Sequence, residues 1–278
     1  MHPLDHQVND LDFELLKSDP YTFAVLARIL KGECDLILTD HERFLLCHSA
    51  ARHPVWIWTP DGASEEEKER VWLIVQEARP LDQGFRYNLK YELAEYFIQK
   101  AKSKSLNAGI SMNLMAYDCP APIPPAHHAD GNIYGCTEKD AEEAARMIGG
   151  FHVAISDGPT EEAYCRGKAE EHIAANAFFF WKNAQGKTVS CCSYRPDGAL
   201  ASLGSVYTQP EYRRMHYAEN LVYQVTRLVT EKGFTPMLYT DADYAASNAC
   251  YTKIGYQCRG RLCTIAANNN QNEAMKGA

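Results

Sequence analysis

The sequence has no excess of positive charge: 28 Lys and Arg stand against 36 Asp and Glu, a formal net charge of -8 over 278 residues. A nucleic-acid partner needing broad phosphate neutralisation is not expected from that balance, and neither is a polybasic membrane anchor. The ten cysteines include no CxxC pair; the closest are Cys191 with Cys192 and Cys258 with Cys263. Zinc knuckles and a disulfide framework are therefore not implied, and buried free thiols in a reduced protein are the expected reading. The start, Met1-His2-Pro3-Leu4-Asp5-His6, lacks the basic and apolar regions of a signal peptide, and no apolar run is long enough to span a bilayer. A cytoplasmic protein without a metal follows as the expectation. The length accommodates one large or two ordinary domains.

What is present is concentrated in Val206-Tyr207-Thr208-Gln209-Pro210-Glu211-Tyr212-Arg213-Arg214-Met215-His216-Tyr217-Ala218. This stretch runs a predicted strand into a predicted helix. The helix is marked by Ala218, Leu221, Val222, Val225, Leu228 and Val229 at helical spacing, with Gly233 where a stop belongs. Its first turn offers backbone N–H groups and the positive end of a dipole, which together hold phosphate, and Arg213 and Arg214 add formal charge.

These residues resemble motif A of the GCN5-related N-acetyltransferases (GNAT), whose coenzyme A loop reads Gln/Arg-x-x-Gly-x-Gly/Ala; Arg213, His216 and Ala218 occupy the defined positions. His216 stands where the family has glycine, a residue that adopts left-handed dihedrals without penalty. A second match follows at Ser247, Tyr251, Gly255 and Tyr256, with Tyr244 in place of the usual asparagine. The Ser247-Asn248 pair is similar to the branch of glycine acyltransferase-like and FR47-like proteins. The resemblance implies an α/β GNAT fold, a mixed sheet with flanking helices, and acetyl-CoA as co-substrate. It implies that the main chain of Val206, Tyr207 and Thr208 binds the thioester and pantetheine. It assigns the diphosphate to the loop of Arg213, Arg214, Met215, His216, Tyr217 and Ala218. Ser247 and Asn248 would lie along the pantetheine arm, with Tyr251 as the acid that protonates the departing thiolate. The function implied is N-acetyl transfer to a primary amine of a small molecule or peptide, through a ternary complex. The alternative is a catalytically silent acyl-CoA-binding or protein-interaction module. The partners expected are acetyl-CoA and an amine acceptor, with a homodimer left open.

The general base is not assigned. The strand at 199–204 lacks the glutamate that many GNAT relatives place there, and the candidates by helix position are Glu162, Glu170, Glu171 and His172, each with a solvated helix face as its rival.

Along the chain, residues 119–131 hold four prolines and no periodic pattern and read as a linker, with His127 and His128 as solvated loop residues. Residues 132–267 follow the order β-α-α-β-β-β-α-β-α-β and form the expected catalytic GNAT domain; 268–278 read as a disordered tail. Residues 1–118 give the same succession without its first strand and helix: a helix at 21–30, a hairpin at 35–47, a strand at 55–59, a helix at 64–78, a short strand near Phe85, a helix at 91–102 and a strand at 110–117. Its counterpart of the phosphate loop carries Glu65, Glu66, Glu67 and Glu69, which repel a diphosphate. A degenerate first GNAT-like copy in tandem with the second is expected, against an unrelated α/β domain.

Overall fold

The structure is a computed structural model that describes residues 4–155 and 160–268. The chain divides into two compact units, one built from residues up to 116 with 241–243 and the chain from 259 onward, the other from 117–240 and 244–258.

The first unit runs α1 (Asp10–Leu16), α2 (Ala24–Ile29), β1 (Leu36–Thr39), β2 (Leu45–His48), β3 (Val55–Trp58), α3 (Glu65–Ala78), β4 (Tyr87–Leu89), α4 (Tyr91–Ser103) and β5 (Ala108–Asp118). β1, β2 and β3 pair antiparallel and β3 pairs parallel with β4, the arrangement that the intervening α3 permits. The apolar stripes of α3 and α4 close on the sheet: Val71, Trp72, Val75, Leu93 and Phe97 pack with Leu46, Ile57 and Tyr87 in one buried cluster. Trp72 and Phe97 meet edge-on with ring centroids 5.0 Å apart. Burying each such side chain contributes about 1.5–3 kcal/mol. α1 has no apolar period and was not expected. Instead it is fixed by polar contacts: Asn9 and Asp12 form a capping box, and the buried Asp12 carboxylate also accepts from Thr39 Oγ1 and lies 2.8 Å from His41 Nδ1.

The second unit runs β6 (Asn132–Gly135), α5 (Ala141–Ala154), α6 (Glu162–Ala174), β7 (Phe178–Lys182), β8 (Thr188–Asp197), β9 (Leu200–Thr208), α7 (Tyr217–Glu231), β10 (Thr235–Asp241) and α8 (Ala245–Ile254). β6 to β9 form an antiparallel meander, and β10, reached through α7, lies parallel beside β9. The buried faces of α5 and α6 pack on Phe178, Phe180 and Cys191.

The last strand, β11 (Gln257–Ala267), corrects the expected boundaries. From residue 259 it belongs to the first unit, inserted between β4 and β5 and paired antiparallel with β4 through Cys263↔Leu89 and Ile265↔Tyr87. β4 alone is three residues long, so the edge it presents is satisfied by the chain's other end. Of the expected tail at 268–278, residues 269 onward lie outside the described residues. Among the described residues no helix is long and apolar enough to cross a membrane, and no group of three or more His, Cys, Asp and Glu is placed to hold a metal.

Residues 119–131 are not a free linker. Cys119 N–H donates to Pro236 O (2.9 Å), Ile123 N–H to Ile254 O (2.7 Å), and Trp181 Nε1 to Asp130 O (2.7 Å). Four prolines keep this segment out of helix and sheet, yet main-chain groups of Cys119, Ile123 and Asp130 find partners on β10, α8 and β7, so it is a strap on the second unit.

Candidate functional site

β9 contains an extra residue. Its register with β8 passes from Cys191↔Tyr207 to Ser193↔Gly204, leaving Ser205 and Val206 opposite Cys192, and Ser205 takes a left-handed φ of 49°. This is a β-bulge. The displaced carbonyls are taken up by side chains of β8: Cys191 Sγ lies 3.0 Å from Ser205 O, and Ser193 Oγ donates to Gly204 O at 3.2 Å.

On its other edge, β9 pairs with β10 only from Leu200↔Thr235 to Ser202↔Met237. The two strands part just before the bulge. Gln209 N–H bonds back to Val189 O on β8. By strand alternation the N–H and C=O groups of Thr208 and Val206 therefore face the edge that β10 has left. That is an opening with main-chain donors and acceptors along one side.

The strand ends in a short 3₁₀ turn at Pro210–Tyr212, after which Arg214 (φ 64°) and His216 (φ 63°) both adopt left-handed conformations. His216 thus takes the conformation a glycine would supply, at a cost of about 1–2 kcal/mol for an L-residue. It is the N-cap of α7 and makes no side-chain cap, so the first turn presents its N–H groups unblocked by its own cap. Arg213, Arg214 and Met215 are exposed. Arg213 Nε donates to Thr208 O at 3.2 Å, folding one guanidinium over the open strand edge. The ring of Tyr207 lies on α5, where Gly150 makes room: a Cβ there would stand 2.7–2.9 Å from the ring.

The corresponding helix start in the first unit is closed. Ser64 and Glu67 form a capping box on α3, and the first turn carries Glu65, Glu66 and Glu67. Both the donors and the dipole are occupied there by carboxylates.

α8 packs on α7 and carries the remaining sequence-predicted residues. Tyr251 is 7% exposed, meets Tyr256 at a centroid distance of 5.8 Å, and is hydrogen-bonded by the Ser247 side chain. Burial raises its phenol well above the usual value, so it stays protonated. Ser247 and Asn248 lie half-buried in the same helix. Gly255 ends it with φ 103° against the strap, where a Cβ would be 2.5 Å from Ala121 O.

Three of the four candidate bases do not fit that role as placed. Glu170 pairs with Arg166 (3.2 Å), and Glu171 is held between Lys168 (2.8 Å) and Arg195. Burial pushes His172 down to about 4, so its imidazole is neutral and a weak proton acceptor. Glu162 is exposed in the first turn of α6.

Sequence reasoning missed the strap's part in the loop. Asn220 Nδ2 donates to both His127 O (2.9 Å) and His216 O (3.0 Å), and the Tyr217 hydroxyl donates to Asp130, which raises that phenol to about 12. The rings of His127 and His216 stand 4.7 Å apart. Asn220 recurs on the helical face of Tyr217, which was the one available signal.

Residues 180–265 match the family of FR47-like proteins. No curated protein sequence matches the chain. Among solved structures it is similar to a GCN5-related N-acetyltransferase from Sphaerobacter thermophilus, with 10% identity, 95% of this chain and 96% of that chain covered, and a TM-score of 0.68. A GCN5-related N-acetyltransferase from Kribbella flavida gives 13% identity, 91% and 96% coverage and a TM-score of 0.62. A GNAT-family acetyltransferase from Colwellia psychrerythraea gives 11%, 96% and 100%, and 0.59. At these identities the likeness is one of fold, and it extends over nearly the whole chain.

Proposed function

We propose that this chain, whose residues 180–265 match the family of FR47-like proteins, is an acetyl-CoA-dependent N-acetyltransferase of the GNAT superfamily acting on a primary amine of a small molecule or peptide, by direct attack in a ternary complex. The observation that carries the reading is one continuous stretch, 203–218, in which a strand edge freed at a bulge leads into an uncapped helix N-terminus flanked by two arginines. Such a stretch fits a molecule with amides at one end and phosphates at the other.

Bound coenzyme A would supply the activated acyl group as a thioester. Val206 and Thr208 offer main-chain N–H and C=O groups to the pantetheine amides and to the thioester carbonyl, polarising it for attack. The loop N–H groups from Arg214 to Ala218, with both guanidiniums, hold the diphosphate. Because Arg213 already donates to Thr208 O, it must release that carbonyl for a pantetheine amide. Ser247 and Asn248 line the arm. As the amine nitrogen bonds to the acyl carbon and the C–S bond breaks, Tyr251, protonated at neutral pH, gives its proton to the departing sulfur, and the proton shed by the new amide nitrogen restores the phenol. The first unit, by this reading, is a degenerate copy of the same fold that holds no coenzyme A, since its helix start is capped and acidic.

One observation favours a second reading, a silent acyl-CoA-binding module: Glu170 and Glu171 are engaged in ion pairs, and His172 is neutral and half-buried. Thiol release with acetyl-CoA and a panel of polyamines, amino acids and peptide N-termini separates the two. Amine-dependent release supports the enzyme, and tight acetyl-CoA binding without release from any acceptor supports the module. Mass spectrometry of the purified protein with neither binding nor co-purified coenzyme A would sink both.

A further inference from the structure

Two cysteines that are distant in sequence have their sulfurs in contact. Cys47 lies on β2 opposite Ile37 of β1 and Trp56 of β3, so these three side chains share one face of the sheet. Leu46 and Ile57 take the other face, packed with α3 and α4. On the Cys47 side, the Trp56 ring meets Phe23, the N-cap of α2, edge-on at a centroid distance of 6.4 Å. Between α2 and β1 the chain bends at Asp35, and Cys34 Sγ comes to 3.3 Å from Cys47 Sγ. It also lies 3.2 Å from Ile29 O, on the last residue of α2, and 3.8 Å from Gly32 O. A thiol has one proton. With the Cys34 proton directed to Ile29 O, the lone pairs of its sulfur are left to receive the Cys47 S–H. The two thiols differ in access: Cys34 is half-buried and Cys47 is fully buried. Burial, and then the hydrogen bond to Cys34, push the Cys47 thiol up, so it stays protonated beside its partner.

We propose that Cys34 and Cys47 form a dithiol site for oxidation by a hydroperoxide, closing to a disulfide that staples the end of α2 to β2. Both residues lie in the first unit, so the proposal does not depend on the coenzyme A reading of the second. The accessible thiol reacts first. Cys34 gives up its proton and its sulfur attacks a peroxide oxygen; the S–O bond forms, the O–O bond breaks, and the leaving alkoxide or hydroxide takes the proton as an alcohol or water. The Cys47 sulfur then attacks the Cys34 sulfenic acid. The S–S bond forms, the S–O bond breaks, and the departing hydroxide leaves as water with the Cys47 proton. Two thiols are oxidised and one peroxide is reduced. Going from contact to bond takes roughly 1 Å of travel, shared between two side chains that each turn about one χ1. The cross-link joins residues 13 apart in sequence and so restricts the unfolded chain more than the folded one.

Arg43 lies between the two cysteines, so trypsin separates them into peptides 32–43 and 44–52, each with one cysteine. The test treats the reduced full chain with limiting hydrogen peroxide, alkylates the remaining thiols and maps the digest by mass spectrometry. The expected result is these two peptides joined, with both alkylation sites lost together and regained after dithiothreitol. The thermal midpoint of the oxidised chain should rise by about 5 °C or more. In Cys47→Ser the reaction should stop at the Cys34 sulfenic acid, which dimedone traps. Recovery of both peptides fully alkylated while other cysteines oxidise overturns the proposal, and so does a cross-link from either peptide to a third cysteine. A cross-link that leaves the midpoint unmoved or lower also overturns it, since such a bond forms only by distorting the unit. The wild-type map needs no variant, so it decides the matter even if Cys47→Ser folds poorly.

Discussion

Two adjacent glycines in α5 should respond to the same substitution with opposite signs. Gly149 and Gly150 both lie inside the helix, where Gly→Ala by itself stabilises by about 0.8–1 kcal/mol. At Gly149 the nearest atom to an added Cβ is Cys165 Sγ at 3.9 Å, an ordinary contact, so Gly149→Ala should keep that gain. At Gly150 the Cβ would stand 2.7 Å from Tyr207 Cζ, 2.8 Å from Cε1 and 2.9 Å from the hydroxyl oxygen. Optimal carbon contacts lie at about 3.5–4.0 Å, so the ring must retreat by nearly an ångström. Overpacking of that kind costs about 1–3 kcal/mol and cancels or reverses the helix gain. Thermal unfolding should therefore place Gly150→Ala below Gly149→Ala by about 2 °C or more. Tyr207 belongs to the strand edge assigned to the thioester, and misplacing such a group by about 1 Å can lower turnover about a hundredfold. Tyr207→Leu in the Gly150→Ala background should restore stability but not turnover. If Gly150→Ala melts at or above Gly149→Ala and binds acetyl-CoA unchanged, the packing argument is wrong.

Replacing Arg213 and Arg214 together by alanine should weaken acetyl-CoA binding and flatten its salt dependence, because charge-assisted contacts are removed; calorimetry should also give one site per wild-type chain, and an unchanged affinity in the double variant refutes the assignment. Tyr251→Phe should lower turnover about a hundredfold or more while acetyl-CoA affinity stays near wild type, since the ring still packs and only the proton is lost; equal turnover moves the acid elsewhere. His41 provides a pH test of the first unit. Burial pushes its imidazole down, but the hydrogen bonds and charges of Asp12 and then Asp5 outweigh this and hold it above its usual value. A raised folded value means that the stabilisation is full below about 6.5 and is lost as pH rises through the folded value. His41→Asn, which tolerates the left-handed φ of 61°, should thus destabilise more at pH 6 than at pH 8.5 in urea melts, and an equal loss at both rules the linkage out.

The elements with a strong period were legible: α3, α4 and α7 fall within a few residues of the helices expected there, and β7, β8 and β9 are the three consecutive strands of the expected order. What was not legible depends on partners distant in sequence. α1 is held by a carboxylate that meets Thr39 and His41, and no local pattern announces that contact. β11 has the composition of a closing strand for the preceding helix and strand, but the edge it satisfies is that of β4, whose three residues are too few to signal an unfilled place. The proline-rich strap has no period because its contacts are made by isolated main-chain groups, each to a different element.

The loop shows the same division at finer scale. Its place between strand and helix followed from sequence, and so did the departure at His216, where a glycine is the ordinary occupant. The structure answers with backbone conformation: φ is 63° at His216 and 64° at Arg214, so the turn is kept and the side chain is added to it. A glycine would make the same turn at lower conformational cost but would offer no ring to face His127. The energetic penalty of a left-handed histidine, about 1–2 kcal/mol, is tolerable where Asn220 ties its carbonyl and the strap beside it. His216→Gly should accordingly leave thermal stability near wild type, the relief of strain offsetting the greater freedom of the unfolded glycine. A large loss of stability in that variant would mean that the imidazole itself holds the loop together.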